Sequence, residues 1–495
     1  MPPTWPHIPD TLDLVYDFGA IGDGVTDDTA AVNAWSLAVK TNRCLGITPA
    51  GKVFLIQTQL ANFNTTNGGT FDFNGSTIKK SNTFAGTYAV DIRGNCIIRN
   101  LVIDGNRAGG ALGGGIEFAN VAATNVILEN VTSQNNKGTG IHTAAATGVK
   151  VTLRACKALG NQTGAGGADG FYAATGAFIM DRFCEGSDND RHGCQIDGNT
   201  PGCIVNGIFK RNLVDGVRIN GASPGGQSEY IYCDDNQQFG MRIINTGGTF
   251  AGATNWTFGL VEVCRSGMAA GGTYTQNNAA TGIEVYGITN CSFDTVIGRG
   301  NLGYDLAIAQ GDATHPSAYN TFGRVHGTVV GPTGVNAPDN DPCVNIVGGS
   351  HNNTFGEITS FGKTVPLCFG EGVASPTSND YNTIGTLHAQ GSSYAAVAFF
   401  RGAYNYIGAV ICRDVSMGHP GTGGAQYNSL LHFDNFASCH DNLVDRLDHV
   451  TTGTAFSYLA EFRAAAANNQ VSAARGAWVT APMLDSNGTN EVALG

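Results

Sequence analysis

From Thr139 onward one short pattern recurs along the chain: a usually polar residue, a glycine, then an apolar–polar pair that opens a strand. It reads Thr139-Gly140-Ile141-His142, Asp169-Gly170-Phe171-Tyr172, His192-Gly193-Cys194-Gln195, Asp215-Gly216-Val217-Arg218 and Phe239-Gly240-Met241-Arg242, and returns at Thr281-Gly282-Ile283-Glu284. The glycines at 170, 193, 216 and 240 are spaced by 23, 23 and 24 residues. Short strands separated by turns at this period predict one coil of a β-solenoid per repeat. Leucine-rich repeats share the length, but their Leu and Asn signature is missing. The second half carries a variant: Asn255-Trp256-Thr257-Phe258-Gly259, a looser Asn290-Cys291-Ser292-Phe293, Asn320-Thr321-Phe322-Gly323, Asn353-Thr354-Phe355-Gly356, Asn382-Thr383-Ile384-Gly385 and Asn405-Tyr406-Ile407-Gly408. Asparagine at a turn tolerates left-handed geometry and can bond its equivalent on the next coil. The spacings of 35, 30, 33, 29 and 23 residues predict inserted loops on some coils, and such loops tend to collect on a binding face.

Strand alternation then sorts residues into columns about 4.8 Å apart between coils. Phe171, Cys194, Val217 and Met241 should point into the core, with Ala173, Ile196, Ile219 and Ile243 beside them. The residue between each pair should face outward, giving His142, Tyr172, Gln195, Arg218, Arg242 and, after an insertion, Glu284. A neighbouring outward column holds Ala144, Ala174, Asp197, Asn220 and Ile244. A third, placed at the turn, holds Thr139, Asp169, His192, Asp215 and Phe239. One helix is predicted, with Thr26-Asp27-Asp28-Thr29 as capping groups ahead of apolar residues at helical spacing from Ala30 to Val39. The expected architecture is all-β: a right-handed parallel β-helix with an N-terminal capping helix. It forms a single domain, with a cap over 1–45, regular coils over 46–250 and coils with loop insertions over 251–495.

Composition narrows the function classes. Gly supplies 70 of 495 residues, hydrophobics 42% and charged residues 13%, which excludes a disordered chain. The net charge of −12 gives no basic face for nucleic acid. No apolar run is long enough for a membrane span, and no signal peptide is visible at the start. The expected setting is extracellular or virion-associated, reached either with an export signal already removed or by another route. The thirteen cysteines form no CxxC, and many sit within apolar alternations and read as stacked core residues. Asp339-Asn340-Asp341 lacks a full calcium ligand set, and no metal or other cofactor is expected.

The run from Tyr16 to Thr29, Tyr-Asp-Phe-Gly-Ala-Ile-Gly-Asp-Gly-Val-Thr-Asp-Asp-Thr, resembles the opening signature of the pectate-lyase-like β-helix superfamily, which includes pectinases, alginate-modifying enzymes and phage tailspikes. Leu101 to Arg107 and the stretch from Asp169 to Gly193 resemble the catalytic module of mannuronan C5-epimerases more closely. The resemblance covers roughly the first 220 residues. It implies a polysaccharide partner and, by analogy with tailspikes, a homotrimer. The family's Tyr-Gly-Phe-Asp-Pro-His-Glu motif is missing: Thr139 stands at its tyrosine, His142 at its aspartate and Ala144 at its histidine, while a further family aspartate falls on Ala174. Only the second family histidine carries over, as His192.

The columns supply both proton-transfer groups and cations. Uronate lyases and epimerases both begin by removing the C5 proton, which needs a base and a cation or acid to hold the enolate charge. His192, Tyr172 or His142 could act on the proton, and Arg218 or Arg242 could grip the carboxylate. The candidate catalytic set is His192, Tyr172, Arg218, Asp169 and Asp197. Substrate contacts are expected from His142, Arg191, Gln195, Asp215, Arg242 and Glu284. A second reading is glycoside hydrolysis, with Asp197 paired to Asp169, Asp190 or Asp215 at the required 5 to 9.5 Å. A third is a tailspike or other glycan-binding protein. The plain structural alternative is a solvated face with stacked counter-charges, where Asp169 and Asp215 merely bond their own turns.

Overall fold

The computed structural model describes residues 10–494 apart from 62, 64–67, 120–125, 145–149, 165–166, 198–201, 222–224, 245–252, 268–280, 302, 310–314, 330–341, 364, 371–378, 392–394, 416–428, 435–438, 451–457, 464, 477–482 and 486–487. Its strands pair in parallel as a right-handed β-helix, with one α-helix near the N-terminus. The chain divides into two compact units, Met1–Arg218 and Ile219–Gly495. Among the described residues no helix is long and apolar enough to cross a membrane.

In the first unit the helix spans Thr29–Asn42 and buries Val32, Trp35 and Val39 against the first coils. The Trp35 indole donates to the Leu12 carbonyl at 3.0 Å and meets Phe71 and Phe73 edge-on at 5.2 and 5.4 Å. Gly46 is required beneath it, since a Cβ there would lie 2.7 Å from the indole. The expected capping groups are used differently. Asp28 occupies the N-cap position without a side-chain cap bond, and its carboxylate instead accepts from the N–H groups of Ile21 and Gly22 at 2.8 and 3.0 Å. Asp27 accepts from the Thr29 N–H at 3.0 Å.

Beyond the cap, three parallel ladders form the coils of this unit. One joins Thr70–Ile92, Gly114–Phe118, Ile141–Thr143, Phe171–Ala173 and Cys194–Ile196. A second joins Val126–Glu129, Lys150–Arg154 and Ala177–Met180, and a third Thr132–Gln134, Lys157–Leu159, Cys184–Ser187 and Gly207–Lys210. Ile141, Phe171, Cys194 and Val217 are fully buried, as the alternation predicts. At the corner a buried amide ladder runs Asn136, Asn161, Asn189, Asn212 with bonds of 2.8, 3.0 and 3.0 Å. This ladder explains the repeated glycine. A Cβ on Gly140, Gly170 or Gly193 would come within 2.7, 2.7 and 2.8 Å of the Nδ2 of Asn161, Asn189 and Asn212.

The second unit stacks its core aromatics. Phe258, Phe293, Phe322 and Phe355 form one file with centroids 4.5, 4.9 and 4.8 Å apart. Phe369, Phe399, Phe433 and Phe462 form another at 4.8, 4.6 and 4.5 Å. An asparagine ladder runs through Asn320, Asn353, Asn382, Asn405, Asn442, Asn469 and Asn490 with bonds of 2.8 to 3.1 Å. Asn255 and Asn290 correct the expected equivalence. The pairing of Thr257 with Ser292 and of Ser292 with Thr321 puts Trp256 and Cys291 in the ladder position. Asn255 and Asn290 stand one residue earlier, at left-handed corners with φ of +59° and +56°. All thirteen cysteines are free, and all but Cys44 are buried.

Candidate active site

The site is built on the outward face of the first ladder in the first unit. Register places Asp91, Glu117, His142, Tyr172 and Gln195 side by side on successive coils. Tyr88, three residues before Asp91, brings its hydroxyl to 2.7 Å from His142 Nδ1. The His142 ring lies between two tyrosines, with centroids 5.7 Å from Tyr88 and 4.9 Å from Tyr172, stacked on the latter with planes nearly parallel at 11°. The Tyr172 hydroxyl donates to Asp197 Oδ2 at 2.8 Å, and Gln195 Nε2 donates to the same oxygen at 2.7 Å. Arg93 binds Asp91 Oδ2 through Nε and Nη2 at 2.8 and 2.7 Å. Glu117 Oε1 stands 3.8 Å from His142 Nδ1.

Burial sets the protonation of this strip. It pushes His142 down to about 4, so the imidazole is neutral near pH 7. Burial also raises Tyr88, with Glu117 adding to the effect. Tyr172 is raised by burial, then by the bond it donates to Asp197. Glu117 is raised by burial and by the neighbouring Asp91. Both phenols therefore keep their protons, and among the described residues nothing hydrogen-bonds His142 Nε2 or Gln195 Oε1. Hydroxyls held against a neutral imidazole and a carboxylate can exchange protons with a bound ligand.

Three expected positions are corrected. Asp169, His192 and Asp215, expected at the turn of a polar groove, have relative exposures of only 1%, 0% and 0%. At these three repeats the residue before the glycine turns under the coil and faces inward, whereas Thr139 is half-buried. His192 Nδ1 accepts from the Asp215 N–H at 3.3 Å and lies 3.3 Å from Asp215 Oδ2. The His192 N–H donates to Asp169 Oδ1 at 3.2 Å. Burial pushes the Asp169 carboxyl up to about 7, opposed by the guanidinium of Arg191 at 3.6 Å. Arg191 and Arg218 are partly exposed, and Arg218 lies 3.9 Å from Asp215 Oδ2.

The remaining two residues belong to the second unit. Arg242 pairs with Glu284 at 2.6 Å and covers the Phe239 ring at 4.4 Å, so its charge is already compensated. Sequence reasoning missed Tyr88, Asp91, Arg93 and Glu117. Glu117 had a usable signal, because Gly115-Ile116-Glu117 repeats the glycine, apolar, polar unit. Tyr88 had none. It lies in a 23-residue strand without the repeat glycine, and 54 residues separate it from His142. Among the described residues no group of three or more His, Cys, Asp or Glu is arranged to hold a metal ion. Asp339-Asn340-Asp341 lies outside the described residues.

No protein-family model matches the chain, and no curated protein matches it. Among solved structures it is similar to a mannuronan C-5 epimerase A-module of Azotobacter vinelandii, at 14% identity and a TM-score of 0.38, covering 97% of both chains. It is similar to the tailspike protein of an E. coli bacteriophage at 12% identity and a TM-score of 0.43, covering 98% of this chain and 78% of that one. The catalytic unit of a thermostable alpha-1,3-glucanase from Streptomyces thermodiastaticus gives 12% identity and a TM-score of 0.39, covering 97% and 69%. Likeness at this level does not carry over chemistry.

Proposed function

We propose that the first unit acts on an acidic, uronate-containing polysaccharide by abstracting the C5 proton. The observation that carries this reading is the pairing of two phenols along one strip, Tyr88 with His142 and Tyr172 with Asp197. Tyr172 oxygen takes the C5 proton as its own hydroxyl proton passes to Asp197. With Nδ1 of His142 protonated, the Tyr88 hydroxyl is free to point at the sugar and protonate the departing O4. The phenolate left behind is held by the Nδ1–H. Arg191 and Arg218, beside the strip, neutralise the uronate carboxylate and the enolate it becomes. Loss of O4 gives cleavage, whereas return of a proton to the opposite face gives epimerisation. The partner is thus a polysaccharide, met outside a cell or at a virion surface.

Hydrolysis is less well supported. Asp169 and Asp215 are buried, and Asp190 Oδ2 accepts from the Gly164 N–H at 2.8 Å. Glu117 and Asp197 are separated by three coil spacings, about 14 Å, beyond the reach of a catalytic carboxylate pair. The test is incubation with alginate, pectate and bacterial exopolysaccharides, following unsaturated uronate by absorbance near ~235 nm, the signature of β-elimination. Epimerisation is followed in parallel by the change in uronate composition. Activity should fall by about 10²-fold or more in Tyr172→Phe and Tyr88→Phe. New reducing ends without unsaturation or epimerisation would overturn the mechanism.

A further inference from the structure

Far along the sequence from that strip, the second unit repeats one corner eight times. The register of its strands aligns Asn255, Asn290, Tyr319, Asn352, Tyr381, Tyr404, Asp441 and Asn468. Every one has a left-handed backbone, with φ between +50° and +60°. Asn and Asp adopt this geometry at little cost, and they fill five of the eight corners. A bulky side chain there is strained, at roughly 1–3 kcal/mol per residue. Three corners nevertheless hold tyrosine, and those rings are 61%, 54% and 47% exposed at Tyr319, Tyr381 and Tyr404. Neither backbone preference nor core packing accounts for them.

The rings are ordered among themselves. Tyr381 and Tyr404 stack at 5.0 Å and 7°. Tyr404 is buttressed edge-on by His440 at 5.4 Å, and Tyr319 by His351 at 6.0 Å. Tyr319 and Tyr381 flank the Asn352 corner two coil spacings apart, about 9.6 Å. That gap admits a puckered ring making contacts of about 3.5–4.0 Å on either side. Its floor is polar, since Asn352 Nδ2 and His351 Nδ1 meet at 2.8 Å. The three rings together offer roughly 300 Å² of exposed surface, taking about 150–250 Å² for a whole aromatic side chain. A stable protein interface needs about 800 Å² per partner, so a row one residue wide suits a chain ligand better. Asp380 and Asp441 beside the row carry carboxylates, which disfavour an acidic chain.

We infer that this tyrosine corner is a non-catalytic binding site for a neutral pyranose chain, whose C–H faces stack on Tyr319, Tyr381 and Tyr404 while its hydroxyls meet Asn352 and the flanking carboxylates. The test is affinity electrophoresis of the full chain in native gels containing dextran, galactomannan or hydroxyethylcellulose, with alginate as the acidic comparison. The probe variant is the double substitution Tyr381→Asn, Tyr404→Asn, which installs the unstrained corner residue and should fold at least as stably as the parent. At least one neutral glycan should retard the parent, and the double variant should lose about tenfold or more of that affinity. Action on uronates should be unchanged in the variant, so failure here is separable from failure of the proposed catalytic strip. The proposal is overturned if no neutral glycan retards the parent, if only alginate does, or if the variant binds as the parent does. It is also overturned if the variant shows a lower mass in sedimentation, which would make the corner an interface between copies.

Discussion

Asp169→Asn should stabilise the protein above pH 7 and leave it nearly unchanged near pH 4. Burial raises this carboxyl from its ordinary 3.8 to about 7, with Arg191 opposing the rise. Between those values the folded chain binds more protons than the unfolded chain, so stability falls as pH rises through the window. Above pH 7 the whole cost is present, about 4 kcal/mol at 1.36 kcal/mol per pH unit. Asparagine removes the charge but keeps an Oδ1 that can accept the His192 N–H. It forfeits the ion pair with the half-buried Arg191, worth less than about 1 kcal/mol. The new amide must also find partners, so the net gain is about 2–3 kcal/mol at pH 8.5. At about 2.1 cal/mol/K per residue, that is roughly 5 °C in Tm if the first unit melts alone and about 2 °C if the whole chain melts together. Thermal melts of parent and variant at pH 4 and pH 8.5 check it. Equal Tm differences at the two pH values, or a variant less stable at pH 8.5, would refute the assignment of a buried, raised carboxyl.

Three further outcomes are expected. Because burial lowers His142 to about 4, the neutral imidazole persists down to that pH. The rate profile on uronates should then show no His142 inflection near 6.5, and the group's contribution to stability should be lost as pH falls through 4. An inflection near 6.5 that vanishes in His142→Gln would contradict this. Asn382→Leu removes a rung that accepts from Asn353 N and Nδ2 and donates to Asn405 Oδ1 and Ser350 O. It should cost about 3–5 kcal/mol, read as a lowered Tm and faster proteolysis. Iodoacetamide should label at most Cys44 in the native chain, since the other twelve thiols are buried; mass spectrometry of the labelled protein checks it.

The glycine period and strand alternation determined the coil, the buried file of Ile141, Phe171, Cys194 and Val217, and the outward file of His142 and Tyr172; Gln195 keeps their register but is buried rather than solvated. These follow from local geometry, because a two-residue period fixes which face a side chain takes once the strand is known. Alternation does not extend through a turn. The direction taken by Asp169, His192 and Asp215 depended on how the chain bends beneath the asparagine ladder, and that bend turned them inward. The Tyr88–His142 pair and the alignment of three tyrosines on one corner also needed the tertiary structure. Their members lie 23 to 85 residues apart in the chain, and coil stacking with insertions of unequal length decided that they would align. Sequence spacing alone gave the repeat; the register between coils gave the neighbours, and chemistry depends on neighbours.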